Sequence, residues 1–252
     1  MKLSIITIAF NAESTIADAV KSVVHQVLPA NVELEYIVVD GLSTDNTLEM
    51  IAPWRDKITT LISEPDEGLY DAMNKGIASA TGDFIGILNS DDLYANNEVL
   101  MHVMEQLTAS GADGLYGDLV YVDREDIQRV TRMWRSGTYQ KGAFLQGWMP
   151  PHPTFFARRD AFENWGGFNL SLKSAADYEL MLRFVHKHGM TLTYLPEVMV
   201  RMRVGGMSNA SARNRLRANL EDRRAWHLNG LRPRPWTLML KPLRKVGQFL
   251  RR

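Results

Sequence analysis

Cysteine is absent from the 252-residue chain, so disulfides, thiolate catalysis, Cys-ligated zinc and iron–sulfur clusters are excluded. No apolar run reaches the roughly 18 residues needed to span a bilayer. After the first strand candidate there is neither G-x-G-x-x-G nor G-x-x-x-x-G-K-[ST], which weighs against an ordinary dinucleotide site and a P-loop. Internal repeats and low-complexity segments are also lacking. The opening run, Met1 to Phe10, has one Lys followed by β-branched residues. It meets polar Asn11 without a small-residue cleavage site, so it reads as a buried strand rather than a signal peptide.

Net charge is missing too, with 29 basic residues against 29 acidic. The zero is the sum of two unlike parts. Residues 1–200 carry 15 basic and 27 acidic residues, while 201–252 carry 14 basic and only two acidic, Glu221 and Asp222. An acidic body with a basic tail suggests an anionic partner for the tail. The rest is ordinary: 45 % hydrophobic and 23 % charged residues argue against disorder. A chain of this length buries roughly 70–75 % of its unfolded surface and needs no covalent staple.

Patterning divides the body into alternating elements. Strands are expected at 3–9, 34–40, about 58–63 and 83–88, with helices over 13–27, about 45–54 and 69–80. Such alternation predicts a parallel sheet with right-handed crossovers, and ligands bind beyond the carboxyl ends of its strands. Three of these ends are polar: Asn11, Asp40, and Asn89-Ser90-Asp91-Asp92. After about residue 110 short strands are expected at 113–123, 128–134 and 154–157. A Gly/Pro-rich stretch runs from Gly137 to Pro153, and a helix over 174–188 and one or two strands over 191–203 complete the pattern.

Four constellations carry chemistry. Asn89-Ser90-Asp91-Asp92 gathers carboxylates, which suits a hard cation such as Mg²⁺ or Mn²⁺, or else an exposed turn capping the next helix. Asp40 ends a strand, and Ser43 to Thr47 read as a turn and helix cap. Asp71 and Lys75 are four apart, fitting an i,i+4 pair, although Lys75 can also reach a diphosphate. Asp177 opens a helix, as a dipole-compatible cap or as a general base.

Taken in order, Thr7-Ile8-Ala9-Phe10-Asn11, Val38-Val39-Asp40-Gly41-Leu42-Ser43-Thr44-Asp45, Asn89-Ser90-Asp91-Asp92 and Ala176-Asp177-Tyr178-Glu179 make the chain resemble family-2 glycosyltransferases over about residues 1–205. The segment Gly68-Leu69-Tyr70-Asp71-Ala72-Met73-Asn74-Lys75-Gly76 is most similar to bacterial enzymes that build exopolysaccharide, capsule or O-antigen units. The resemblance implies an α/β GT-A fold, a Rossmann-like, mostly parallel sheet flanked by helices. It implies a nucleotide-sugar donor, with Phe10 and Asn11 at the base pocket, Asp40 bonding the base and Asp66 facing the nucleotide. Asn89 would contact ribose or a metal-bound water, Asp91 and Asp92 would hold Mn²⁺ or Mg²⁺, and Asp177 would be the catalytic base. Trp165, Gly166 and Gly167 would shape the acceptor loop. Two departures stand out: the first Asp of the metal motif is Asn89, and the helix position that often carries Arg is Met73, leaving Lys75 or Asp71 to share its work. His152 is either structural or an extra metal or phosphate contact.

Residues 206–252 form a basic helical extension in this reading. Trp236, Met239, Leu240, Leu243, Val246, Phe249 and Leu250 make an apolar stripe flanked by Lys241, Arg244, Lys245, Arg251 and Arg252. This suits a helix on an anionic membrane surface, interrupted near Pro242, or one packed on the body or on a second subunit of a homo-oligomer. A membrane-surface tail fits a lipid-linked, polyprenyl-type saccharide acceptor and a peripheral position on the inner face of the cytoplasmic membrane. Nucleic acid is not expected, because the body is acidic and no reading motif appears. Two rivals remain: a sugar-phosphate nucleotidyltransferase, which wants a Gly-rich basic loop that residues 7–15 lack, and a non-catalytic membrane-bound scaffold, against which Asp91 and Asp177 speak.

Overall fold

A computed structural model describes the backbone of residues 1–205 and 212–250, and the side chains of 1–205 and 219–244. Side chains expected in the tail at Lys245, Val246, Phe249, Leu250, Arg251 and Arg252 lie outside the described residues. Four parallel strands form one half of the sheet: β1 (Lys2–Ala9), β2 (Glu33–Asp40), β3 (Thr60–Ser63) and β4 (Phe84–Asn89). The strand order is β3-β2-β1-β4-β8-β6-β9-β5, with β7 pairing β6. The second half comprises β5 (Asp92–Tyr94), β6 (Gly114–Val122), β7 (Val130–Trp134), β8 (Phe156–Arg158) and β9 (Leu192–Arg203). There β8 runs antiparallel to both β4 and β6, while β6 and β9 are parallel.

Both faces of the sheet are covered, which explains the near-continuous apolar runs. Along β1 and β2 the period of two sends Leu3, Ile5, Tyr36 and Val38 to one face, and Ile6, Ile8, Ile37 and Val39 to the other. The first face packs on α1 (Ile16–Val24) and α4 (Val99–Ser110). The second packs on α3 (Leu69–Ser79), α5 (Arg159–Trp165) and α6 (Ala176–Met181). A short α2 (Thr47–Ile51) runs into a 3-10 turn.

The expected elements are present with local differences. The 13–27 helix is confined to Ile16–Val24, and the 174–188 helix is α6 followed by a π-helical turn, Leu182–Lys187. The 191–203 segment is a single strand. The Gly/Pro-rich stretch holds two 3-10 turns, Ala143–Gln146 and His152–Thr154. Strand β5 and helix α5 carry no clear periodic signal, since three residues and two turns are too short to show one. Beyond the body, α7 spans Ala212–Leu228 and α8 spans Thr237–Leu250. Ala225 and Trp226 are fully buried in the same core as α3 and α6.

At the end of the sheet away from the polar strand ends, Glu35 takes hydrogen bonds from Ser4 Oγ at 2.5 Å, Thr81 N at 2.7 Å and Thr81 Oγ1 at 2.6 Å. Burial by itself raises this carboxyl, but the bonds from Ser4 and Thr81 outweigh it and hold the group down at about 2. A depressed carboxyl stabilises the fold above its unfolded pKa and loses that contribution as pH falls through the folded value. Glu35 should therefore contribute about 3 kcal/mol near neutrality, lost between roughly pH 4.5 and 2. Denaturant titrations of Glu35→Gln should show a flatter acid limb than the native chain; identical limbs would refute this.

Candidate active site

The parallel register brings the polar strand ends together. Ala9 of β1 lies beside Asp40 of β2, and Ile8 lies beside Asn89 of β4. Phe10 and Asn11 therefore emerge between Asp40 and Asn89. Asn11 takes a left-handed conformation (φ 48°), and Thr44 N donates to its Oδ1 at 2.9 Å. Its own N–H donates to Ser43 Oγ at 2.9 Å. Leu42 is also left-handed (φ 62°), so two non-glycine outliers sit on facing loops of one crevice. Asp40 is fully buried and accepts from Ser43 N at 3.1 Å and Ser63 Oγ at 2.7 Å. Phe10, by contrast, is 62 % exposed, an aromatic ring presented to solvent at a strand end.

Asp66 joins this group through Gly41. A Cβ at position 41 would fall 2.2 Å from Asp66 Oδ2 and 3.4 Å from the Phe10 ring, so only glycine lets the three meet. Asp66 also accepts from Gly68 N at 2.8 Å, just before α3 begins. Lys75 is engaged with Glu64 at 3.0 Å, Asp71 at 3.4 Å and the Pro65 carbonyl at 2.5 Å. These contacts tie Lys75 to the loop that carries Asp66.

Beyond β4, Asn89, Ser90 and Asp91 are half-buried, whereas Asp92 is fully buried. Asn89 Nδ2 donates to Asp92 Oδ2 at 3.1 Å. Burial first, and the adjacent Asp91 carboxylate second, push Asp92 well above the usual carboxylate range. Arg203, buried at the end of β9, donates from Nη1 to the Asp91 carbonyl at 3.0 Å and from Nη2 to Asp18 on α1. This arginine fixes the turn that presents Asp91. Among the described residues Asn89 Oδ1 and Asp92 Oδ1 are buried without a hydrogen-bond partner, and together with the adjacent Asp91 carboxylate they supply only oxygen donors, a chemistry that fits a hard divalent cation. Among the described residues no three acidic or His side chains converge.

Asp177 lies near the start of α6. Tyr70, in the first turn of α3, donates to Asp177 Oδ1 at 3.3 Å. Burial, then the charge of Asp177, pushes the Tyr70 phenol far up, so it stays protonated as a donor. His152 lies within the field of Asp177, but burial outweighs that charge and lowers its pKa, favouring neutral imidazole. Phe168 stacks on Tyr70 at 5.4 Å and meets His152 edge-on at 5.6 Å.

The loop of Trp165, Gly166 and Gly167 is pinned from two sides. Asn74 exchanges two hydrogen bonds with the Phe168 backbone, at 2.7 and 2.9 Å, and sits where a Gly167 Cβ would fall. Arg183 donates to the carbonyls of Trp165, Gly166 and Gly167 while paired with Glu179. The Trp165 ring stacks on His188 at 4.7 Å, so Phe168 is the aromatic that touches the Tyr70–His152 pair.

Several supporting residues escape sequence reading. Glu221 accepts from Lys173 N at 3.0 Å and Ser174 N at 2.7 Å, and Trp226 Nε1 donates to Tyr178 OH at 3.0 Å. Asn229 donates to Glu179 at 2.9 Å. Lys241 of α8 pairs with buried Asp222 at 2.6 Å and lies 3.7 Å from the Tyr178 ring centroid. The signal was present: Glu221 and Asp222 are the only acidic residues after position 200, and both are buried anchors beneath the segment carrying Asp177.

An open α/β sheet with this crevice at its carboxyl ends, flanked by helices and extended by a mixed second half, is the GT-A fold of nucleotide-sugar-dependent glycosyltransferases. The chain belongs to glycosyl transferase family 2, whose model matches residues 4–166. It is 32 % identical over 182 residues to an uncharacterized glycosyltransferase of Mycobacterium tuberculosis, covering 72 % of this chain and 68 % of that protein. A PGL/p-HBAD biosynthesis glycosyltransferase of Mycobacterium bovis is 29 % identical, over 70 % of this chain and 68 % of that one. Among solved structures, Staphylococcus aureus TarS 1-349 with UDP-GlcNAc superimposes with a TM-score of 0.70 at 21 % identity, covering 91 % of this chain and 65 % of TarS 1-349. The mannosyltransferase PcManGT of Pyrobaculum calidifontis, bound to GDP-Man and Mn²⁺, gives 0.66 at 19 % identity, covering 94 % of this chain and 67 % of that one. These two likenesses establish the shared fold.

Proposed function

We propose that the protein transfers a sugar from a nucleotide-sugar donor to an acceptor hydroxyl, inverting the anomeric centre. One observation carries the reading: Tyr70, Gly68 and Asp66 connect Asp177 with the strand-end residues Phe10 and Asp40. Phe10, Asn11, Asp40 and Asp66 would line the nucleoside pocket, with Asn89 toward the ribose. Asp91, backed by Asn89 and Asp92, would hold Mn²⁺ or Mg²⁺, which supplies charge neutralisation for the departing diphosphate. Asp177 takes the acceptor proton as the acceptor oxygen bonds to the anomeric carbon from the face opposite the diphosphate. The carbon–oxygen bond to the diphosphate breaks, its electron pair leaves with the nucleoside diphosphate, and the centre inverts. Tyr70 orients the carboxylate throughout.

A lipid-linked saccharide is the acceptor in this reading, with the chain peripheral on the inner face of the cytoplasmic membrane. Support comes from the C-terminal segment, where Trp236, just before α8, and Met239 and Leu243 of α8 are exposed, with exposed Arg232 and Arg234 ahead of the helix and exposed Arg244 within it. Each basic residue adds about 1 kcal/mol at an anionic surface. Among the described residues no helix is long and apolar enough to cross a membrane. Vesicles containing phosphatidylglycerol should sediment the native chain and release the double variant Met239→Ser, Leu243→Ser. Equal sedimentation of the two proteins would remove the membrane assignment.

The transfer itself is tested by nucleotide release from UDP-, GDP- and dTDP-sugars, each with and without Mn²⁺. One donor class should be hydrolysed slowly in the presence of metal. Failure of every donor to bind or react would sink the reading and leave a non-catalytic scaffold.

A further inference from the structure

Between the 136–148 loop and α8 lies a cleft of about 480 Å³. Lys141, Arg234 and Arg244 line it, and no carboxylate is among its described lining residues. The cleft is built by close packing: a Cβ on Gly147 would fall 2.4 Å from the Lys241 backbone nitrogen, so loop and helix meet backbone to backbone. Arg244 Nε donates to the Gln146 carbonyl at 2.8 Å, which fixes that guanidinium at the wall. Arg234 stands 5.7 Å from the centre of the Trp236 ring. Among the described residues none of the three cations has a carboxylate partner. Three like charges around one concavity repel each other until an anion enters.

The position of the cleft indicates which anion. Its Trp148 wall contacts Phe144 edge-on at 5.5 Å, and Phe144 contacts Tyr178 at 6.1 Å, one residue from Asp177. On the other side, Trp236, just before α8, and Met239 and Leu243 of α8 are exposed. Trp148, Phe144 and Tyr178 are buried, so this aromatic layer separates the cleft from the segment that carries Asp177, and a phosphate in the cleft would lie against the exposed apolar, basic face beside it. The donor diphosphate has a separate place at Asn89–Asp91.

We propose that this cleft binds the phosphate or diphosphate of the lipid-linked acceptor, its chain running over the exposed face of α8 and its saccharide reaching toward Asp177. This rests on the glycosyltransferase reading above and names the acceptor's recognition element. Calorimetry on the full chain, with chelator present to silence the donor site, compares farnesyl diphosphate, inorganic diphosphate and farnesol. Farnesyl diphosphate should bind most tightly. Lys141→Ala, Arg234→Ala and Arg244→Ala should each weaken it by about tenfold, the value of one charge-assisted contact. Trp236→Ser should weaken farnesyl diphosphate and leave inorganic diphosphate unchanged.

Equal affinity of native chain and the triple alanine variant for farnesyl diphosphate would overturn the proposal. Tighter binding of inorganic diphosphate than of farnesyl diphosphate would overturn the lipid source, leaving a soluble phosphate. Nucleotide affinity with Mn²⁺ should stay unchanged in all four variants, because none touches the strand ends; its loss there would also overturn the two-site assignment. Absence of nucleotide binding by the native chain defeats the functional reading instead, and the metal-free titrations separate the two failures.

Discussion

Asp177→Asn is expected to lower sugar transfer by about 10²–10⁴-fold, the usual value of a positioned general base. Asn preserves the volume and can still meet the Tyr70 hydroxyl, which lies 3.3 Å from Asp177 Oδ1 in the native chain. It cannot take a proton from an alcohol. Nucleotide affinity should stay at the native level, since Asp177 belongs to α6 and not to the strand ends. Calorimetry and a transfer assay on the same preparation read both quantities. Near-native turnover would remove Asp177 from the chemistry. Tyr70→Phe provides the companion measurement: it should reduce turnover less, because the phenol orients the base without accepting the proton itself.

The second large effect is expected at Asp91. Asp91→Ala should weaken Mn²⁺-dependent nucleotide affinity by about 100-fold and lower turnover further, since the departing diphosphate loses its counter-charge. Chelation of the native protein should reproduce the variant, and chelation of the variant should add nothing. Unchanged metal-dependent affinity would falsify the assignment. Asp92→Asn separates the two carboxylates. Asp92 is fully buried and bonded by Asn89, whereas Asp91 is half-buried at the open end of the turn, so the smaller loss is expected at Asp92. An equal loss would assign metal binding to both.

The tail changes how such experiments must be designed. Deleting residues 206–252 would remove Glu221, Asp222, Trp226 and Lys241 together, and these contact Lys173, Ser174, Tyr178 and each other beneath Asp177. A truncated chain losing both activity and membrane binding would say nothing about either. Substitutions on the exposed face of α8 avoid that ambiguity.

By itself the sequence determined the body of the fold and the polar strand ends that line the crevice. Alternation of period two and spacing of 3.6 are local signals, and polar residues interrupt them at Asn11, Asp40 and Asn89. Once β1, β2 and β4 pair in parallel, those interruptions must lie side by side, as the Ala9–Asp40 and Ile8–Asn89 registers show. Tertiary structure alone decided the rest. Tyr70 and Asp177 are 107 positions apart, and no periodicity links them. The packing of the 165–168 loop is equally non-local: Arg183 and Asn74 pin its backbone, the Trp165 indole stacks on His188, and Phe168 stacks on Tyr70. In the C-terminal segment Thr237 and Lys241 turn to the body, while Trp236, Met239 and Leu243 of the apolar stripe are exposed. Likewise, the two acidic residues of a basic tail became its buried anchors. Periodicity states which face of a helix is apolar, but what covers that face depends on chain segments distant in sequence, and only their packing supplies it.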